Sequence, residues 1–265
     1  MIFAILSILL LPALAVAQTV NLADLLKRSE AASKANGVKA DLYAYRERTV
    51  NVQLDRDGKE KSRKSETWDV IGLEGSAYRK LIERDDKPLP AKEQKQEEER
   101  LAQEATKRRA ETAEQRRNRL FSFTYQVSFR PEQMYLFDAR LVAEELVNGR
   151  PAYVIEATPK PDAKPATSNE AEVLHYKVKR WIDKADLVDS RASMEVVRKG
   201  SRMQPGTVVD AQVVRSADGT WLENELRIRY QIRFFKVAGA RAEQTTTRSD
   251  FHKFEATSRL VDESR

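Results

Sequence analysis

From Asp41 onward, apolar residues recur mainly at every second position, and this period predicts strands rather than helices. Leu42 to Leu54 reads as a strand, and Asp55-Arg56-Asp57-Gly58 as the hairpin turn after it, with Gly58 supplying a positive φ. Thr67 to Leu73 is the return strand, and Tyr78 to Glu83 a third. Phe121, Phe123, Tyr125, Val127 and Phe129 fall on one face of a further extended stretch that Pro131 stops. Ala139 to Val147 and Pro151 to Ala157 flank Asn148-Gly149, a dipeptide suited to a tight turn with two positive φ angles. Lys177 to Asp183 pairs with Leu187 to Val197, and Thr207 to Val214 with Trp221 to Val237 across Asp218-Gly219. In that last strand Leu226, Ile228, Tyr230, Ile232 and Phe234 alternate with Arg227, Arg229, Gln231 and Arg233. One face is apolar and the other charged, as in an antiparallel sheet with one side in water. Arg241 to Phe254 closes the series.

Two segments follow the helical period instead. In residues 21–36, Leu22, Leu25, Leu26 and Ala32 share one face, Asn21 is placed to cap, and Gly37 is expected to end the helix. Residues 91–119 follow Pro88 and Pro90 and are rich in Glu, Lys, Arg, Gln and Ala, with Glu104 and Arg108, and Lys95 and Glu99, at i,i+4. This predicts a long charged helix with a thin apolar stripe of Leu101, Ala105, Ala113 and Leu120. It is read either as a solvated surface helix or as a lid or partner-binding helix. A loop rich in Pro and Lys spans Pro159 to Asn169. The expected fold class is therefore α+β. A strongly curved antiparallel sheet of about ten strands in meander order, a half-open barrel, wraps on a short N-terminal helix and carries the inserted helix 91–119.

The N-terminus adds a compartment. An apolar core runs from Ile2 to Leu11, followed by Pro12 and the small-x-small triplet Ala15-Val16-Ala17. This predicts a signal peptide, 1–17, cleaved after Ala17, and a single domain over 18–265 in the periplasm. No Lys or Arg follows Met1, so a retained anchor is the alternative. The chain of 265 residues contains no Cys, which excludes disulfides, thiol catalysis and acylation of an N-terminal Cys. The net charge of +6 suits nucleic acid in principle, but acidic residues are interspersed and an exported protein rarely meets it. The surplus is read as a solvated surface, with contact to anionic lipid headgroups as the sharper alternative.

Catalytic constellations do not emerge. His175 and His252 lack further ligands at metal-binding spacing, and neighbouring carboxylates such as Asp85-Asp86 and Glu144-Glu145 point to opposite faces of a strand. No cofactor, metal site or enzymatic activity is expected. Trp68, Trp181, Trp221, Tyr43, Tyr45, Tyr153 and Tyr230 all fall in or beside strands, either as core or as the lining of a concave apolar pocket. The candidate ligand-binding residues on that concave face are Leu226, Ile228, Tyr230, Ile232, Phe234, Trp68 and Trp181.

Four motifs occur in order: Gly149-Arg150-Pro151-Ala152-Tyr153-Val154-Ile155 leading to Pro159, then Lys179-Arg180-Trp181-Ile182-Asp183-Lys184, Trp221 opening a long strand, and Asp250-Phe251-His252-Lys253-Phe254. With the preceding signal peptide and short helix, this order resembles the outer-membrane lipoprotein-sorting superfamily. That superfamily comprises periplasmic lipoprotein carriers, their outer-membrane receptors and a periplasmic regulator of an envelope-stress anti-sigma factor. The resemblance implies an unclosed β-barrel plugged by helices, whose concave apolar side holds acyl chains. It implies a non-enzymatic binder of lipid, lipoprotein acyl chains or another hydrophobic ligand. The alternative is an envelope protein–protein interaction or stress-sensor module that uses helix 91–119.

Overall fold

A computed structural model describes residues 20–115, 131–200, 203–234 and 237–254. Its strands are β1 (Tyr43–Leu54), β2 (Glu60–Leu73), β3 (Ser76–Arg84), the short β4 (Lys87–Pro88), β5 (Phe137–Val147) and β6 (Arg150–Pro159). They continue as β7 (Tyr176–Asp183), β8 (Asp189–Val196), β9 (Val208–Arg215), β10 (Trp221–Phe234) and β11 (Val237–Lys253). The helices are α1 (Leu22–Ala40), α2 (Ala91–Arg109) and the short α3 (Ser168–Val173), with a 3-10 turn at Pro131–Leu136.

These eleven strands make one antiparallel sheet in the order β4-β3-β2-β1-β11-β10-β9-β8-β7-β6-β5. The fold is the expected α+β half-open barrel, a curved open sheet with a helix at its N-terminal end and another inserted. Its meander is closed where β1 pairs with β11 and opened between β4 and β5. The opening thus falls at the segment that carries α2. The turn chemistry is as the sequence predicts: Gly58 has φ 82°, and Asn148 and Gly149 have φ 51° and 77°. Such angles suit a two-residue turn whose twist matches that of the flanking strands.

Asn21 accepts a hydrogen bond from the Asp24 N–H and starts α1. The helix then runs through Gly37, which was expected to end it. Gly37 keeps a negative φ, and its carbonyl accepts the N–H of the cap Asp41. A glycine stops a helix by turning left-handed, and here it does not. Leu25 and Leu26 pack on Leu136, Phe137, Ile155, Ala157, Leu174 and Ile182, the main apolar cluster. Each such side chain withdrawn from water contributes about 1.5–3 kcal/mol. The face of the sheet that carries Ile155 and Ile182 against α1 is called inner below.

Helix 91–119 is shorter than its composition suggests. α2 ends at Arg109, and a new turn begins where the Thr112 hydroxyl accepts the Gln115 N–H while Gln115 accepts the Thr112 N–H. That reciprocal pair is a capping box, and Thr-x-x-Gln was present to be read. α2 lies on the far side of the sheet from α1. Leu101 and Ala105 pack on Ile71, Leu73 and Tyr78. Its polar residues meet the outer edge of β3: Glu97 accepts the Leu81 N–H at 3.3 Å, and Arg100 donates to the Arg79 carbonyl at 3.0 Å. Arg108 is buried and donates to the Leu73 carbonyl at 2.9 Å and the Ser76 hydroxyl at 3.0 Å. Unpaired edge groups are a hazard, and α2 satisfies several of them. The expected signal peptide and the aromatic stretch Phe121–Phe129 lie outside the described residues. The Pro- and Lys-rich loop gives way to α3, capped by the Thr167 hydroxyl on the Glu170 N–H.

Candidate functional site

Partners across an antiparallel ladder share a face, so the registers sort every strand residue to the inner or outer side. One inner row reads Ala157, Val178, Met194, Val209 and Ile228, and continues as Gln244 and Asn51. A second reads Ile155, Arg180, Ala192, Ala211 and Leu226, and continues as Thr246 and Thr49. Tyr230 opens a third, beside Ala242 and Gln53. α1 packs on the β5–β7 end of this surface and reaches Trp221 at the start of β10, while Val178, Val209, Leu226, Ile228 and Tyr230 stay half-buried.

Leu226, Ile228 and Tyr230 therefore share the inner face, as their alternation predicts. Trp68 joins that face on β2, paired with Glu47 of β1 and with Leu81 of β3. The side chains of Ile232 and Phe234 lie outside the described residues. Trp181 is not with the others. It alternates with Ile182, which faces α1, so its indole turns to the outer side, where it packs with Val154 and Ala152. There its N–H donates to Glu145 at 2.7 Å, and Arg191 lies 4.5 Å over the ring. The bulge in β7–β8 after Trp181 allows Arg180 to form a two-pronged pair with Asp189 while also meeting Ser29 of α1.

On β11 and β1 the inner face becomes largely polar. Glu47, 5% exposed, accepts from Arg248 at 2.8 Å and from Arg79 at 2.5 Å. Arg248 also bonds Glu223. Burial disfavours its charge, but the Glu223, Tyr45 and Glu47 groups around it outweigh that and raise the guanidinium pKa further. Burial pushes the Tyr45 phenol up, as it does Tyr230. Arg79 stacks 4.5 Å over Trp68, whose buried indole N–H has no partner among the described residues. Thr49 and Thr246 share a buried hydroxyl bond of 3.1 Å, and the Tyr230 hydroxyl donates to Gln244 at 3.1 Å.

The motif residues fix this surface from its ends. Asp183, 1% exposed, receives Arg150 through both oxygens and caps the Ala185 and Asp186 N–H groups. Asp186 in turn holds Arg215 and the Trp221 indole, while Asn36 of α1 bonds both backbone groups of Trp221. Phe251 meets Tyr45 in a tilted ring contact, with centroids 5.5 Å apart, and Phe254 packs where a Cβ on Gly72 would stand. His252 is exposed and bonds the Asp250 carbonyl. No group of three or more His, Asp or Glu that could hold a metal occurs among the described residues. Sequence reasoning missed Glu47, Arg79, Glu223 and Arg248, because Glu47 and Arg248 stand 201 residues apart. It also missed Val178, Met194 and Val209, one in each of the short strands β7, β8 and β9, whose extended pattern was visible.

No protein-family model and no curated protein matches the chain. Among solved structures it is similar to an outer membrane lipoprotein-sorting protein domain from Vibrio parahaemolyticus, at 14% identity and a TM-score of 0.39, covering 87% of this chain and 91% of that one. It is also similar to a LolA superfamily protein from Nitrosomonas europaea, at 10% identity and a TM-score of 0.35, covering 89% and 95%. A third similar structure is the MucA/MucB complex of Pseudomonas aeruginosa, at 13% identity and a TM-score of 0.26, covering 86% and 93%.

Proposed function

We propose that this chain is a non-enzymatic periplasmic protein, exported and cleaved after Ala17, that binds a lipid, a lipoprotein acyl chain or another hydrophobic ligand within its curved sheet. One observation carries the reading. The inner rows across β7–β10 present Val178, Val209, Leu226, Ile228 and Tyr230 half-buried beyond the part that α1 covers. A contiguous apolar surface on the inside of a curved sheet is the kind of wall a binding site presents. Leu226, Ile228, Tyr230 and Trp68 are the residues proposed to touch ligand. Trp181 supports the wall from behind, through Val154 and Ala152.

Native mass spectrometry with lipid extraction, on protein purified gently from a periplasmic fraction, tests this. A co-purifying lipid or acylated species is expected, and Ile228→Asp is expected to lose it while retaining a cooperative melt. A clean apo mass, unchanged after incubation with acyl ligands, overturns the reading. Weight then moves to an envelope partner docking on α2, whose Lys92, Lys95, Glu98 and Glu99 are exposed.

A further inference from the structure

The inner rows change character at one place. At the boundary between β10 and β11, Ile228 meets Gln244 and Leu226 meets Thr246. One strand further, Asn51 and Thr49 follow, with Gln53 in the third row. The aliphatic side chains of β7–β10 are thus replaced by amides and hydroxyls in adjacent rows at the same boundary. The apolar stretch from Val178 to Ile228 crosses three strand spacings, about 14 Å.

Charges stand beside this polar wall, but they neutralise one another. Glu47 is bridged to Arg248 and to Arg79, and Arg248 to Glu223. A buried ion pair that has its partners offers little to a charged newcomer, which would have to be desolvated without a counter-ion. The hydrogen-bonding capacity that is open belongs to exposed Asn51 and Gln53 and to the amide NH2 of half-buried Gln244, whose carbonyl oxygen already accepts from Tyr230. Lys64, opposite Asn51 on β2, is an exposed charge on the same face.

Resting on the binding function proposed above, we infer that the ligand is an amphiphile with an uncharged, hydrogen-bonding polar part, bound in one orientation. Its chain lies across β10, β9 and β8 toward β7, and its polar part lies on β11 and β1 against Gln244, Asn51 and Gln53. An amide can both donate and accept, so it suits hydroxyls, esters and amides alike.

Isothermal titration of the mature protein below micellar concentrations tests this with two probes of equal chain length, dodecyl maltoside and laurate. Two or more neutral hydrogen bonds are expected to make dodecyl maltoside bind about tenfold tighter or better. The double variant Asn51→Leu, Gln244→Leu is expected to bring the two affinities within about threefold while still binding both. Equal or tighter binding of laurate by the parent protein overturns the inference but leaves the binding function standing, and a Lys64→Gln loss of that binding would assign the headgroup site to Lys64. A preference that survives the double variant also overturns it. Failure of both probes to bind overturns the binding function itself.

Discussion

The two arms of the sheet are held together by different chemistry. The arm of β5 to β9 closes on α1 through eight buried apolar residues, Leu25, Leu26, Leu136, Phe137, Ile155, Ala157, Leu174 and Ile182. The arm of β1 to β4 also buries apolar residues, Val50, Val70, Leu73, Tyr78 and Leu81 among them, but adds buried polar groups that the first arm's cluster lacks: Arg108, Glu47 and the hydrogen-bonded hydroxyls of Ser65 and Thr49. Apolar burial is non-directional and tolerates reshaping, whereas a buried charge demands every one of its partners. One arm is therefore vulnerable to lost volume, and the other to lost hydrogen bonds.

Truncation in the apolar arm should have the largest effect. Leu26→Ala removes a side chain that is 1% exposed at the centre of the cluster, and a cost of about 2–5 kcal/mol is expected in denaturant unfolding. A loss below about 1 kcal/mol would show that α1 is not integral to that arm. In the polar arm, Arg108→Met keeps bulk but leaves the Leu73, Ser76 and Ala77 carbonyls without this donor. A cost of about 2–3 kcal/mol is expected, with faster hydrogen exchange in α2 and β3 and none in α1. Exchange that rises equally in α1 would erase the distinction between the arms.

The smallest effect concerns pH and the Asp183 corner. Burial opposes ionisation of Asp183, but the Arg150 guanidinium and the N–H groups of Asp186 and Ala185 prevail and lower its pKa. A carboxyl depressed in the folded state contributes stability above its unfolded pKa of about 4, and loses it as pH falls through the folded value. Melting temperature should therefore drop more steeply on acidification in the parent protein than in Asp183→Asn, which starts lower. Parallel curves from pH 6 to about pH 3 would remove Asp183 from the acid response.

How much of this was legible depends on the range of the interaction. The Asn148-Gly149 turn and the alternation of Leu226, Ile228 and Tyr230 are local, and the strands follow them. Trp181 shows the limit of local reading. Alternation puts it opposite Ile182, but nothing nearby in the chain says that Ile182 is the one facing α1. The end of α2 was local and readable, since Thr112 and Gln115 form a capping box within a composition that otherwise favours helix. The polar half of the inner face was not readable, because Glu47, Arg79, Glu223 and Arg248 meet only after the sheet is assembled.

The pairing of β1 with β11 has a consequence for how the chain matures. Thr49 and Thr246, 197 residues apart, meet in the middle of the sheet and not at its rim. Each arm can form its hairpins early, from neighbouring strands, but the two can join only after β11 has been made. Late, distant pairing of this kind is slow and leaves strand edges open in the meantime.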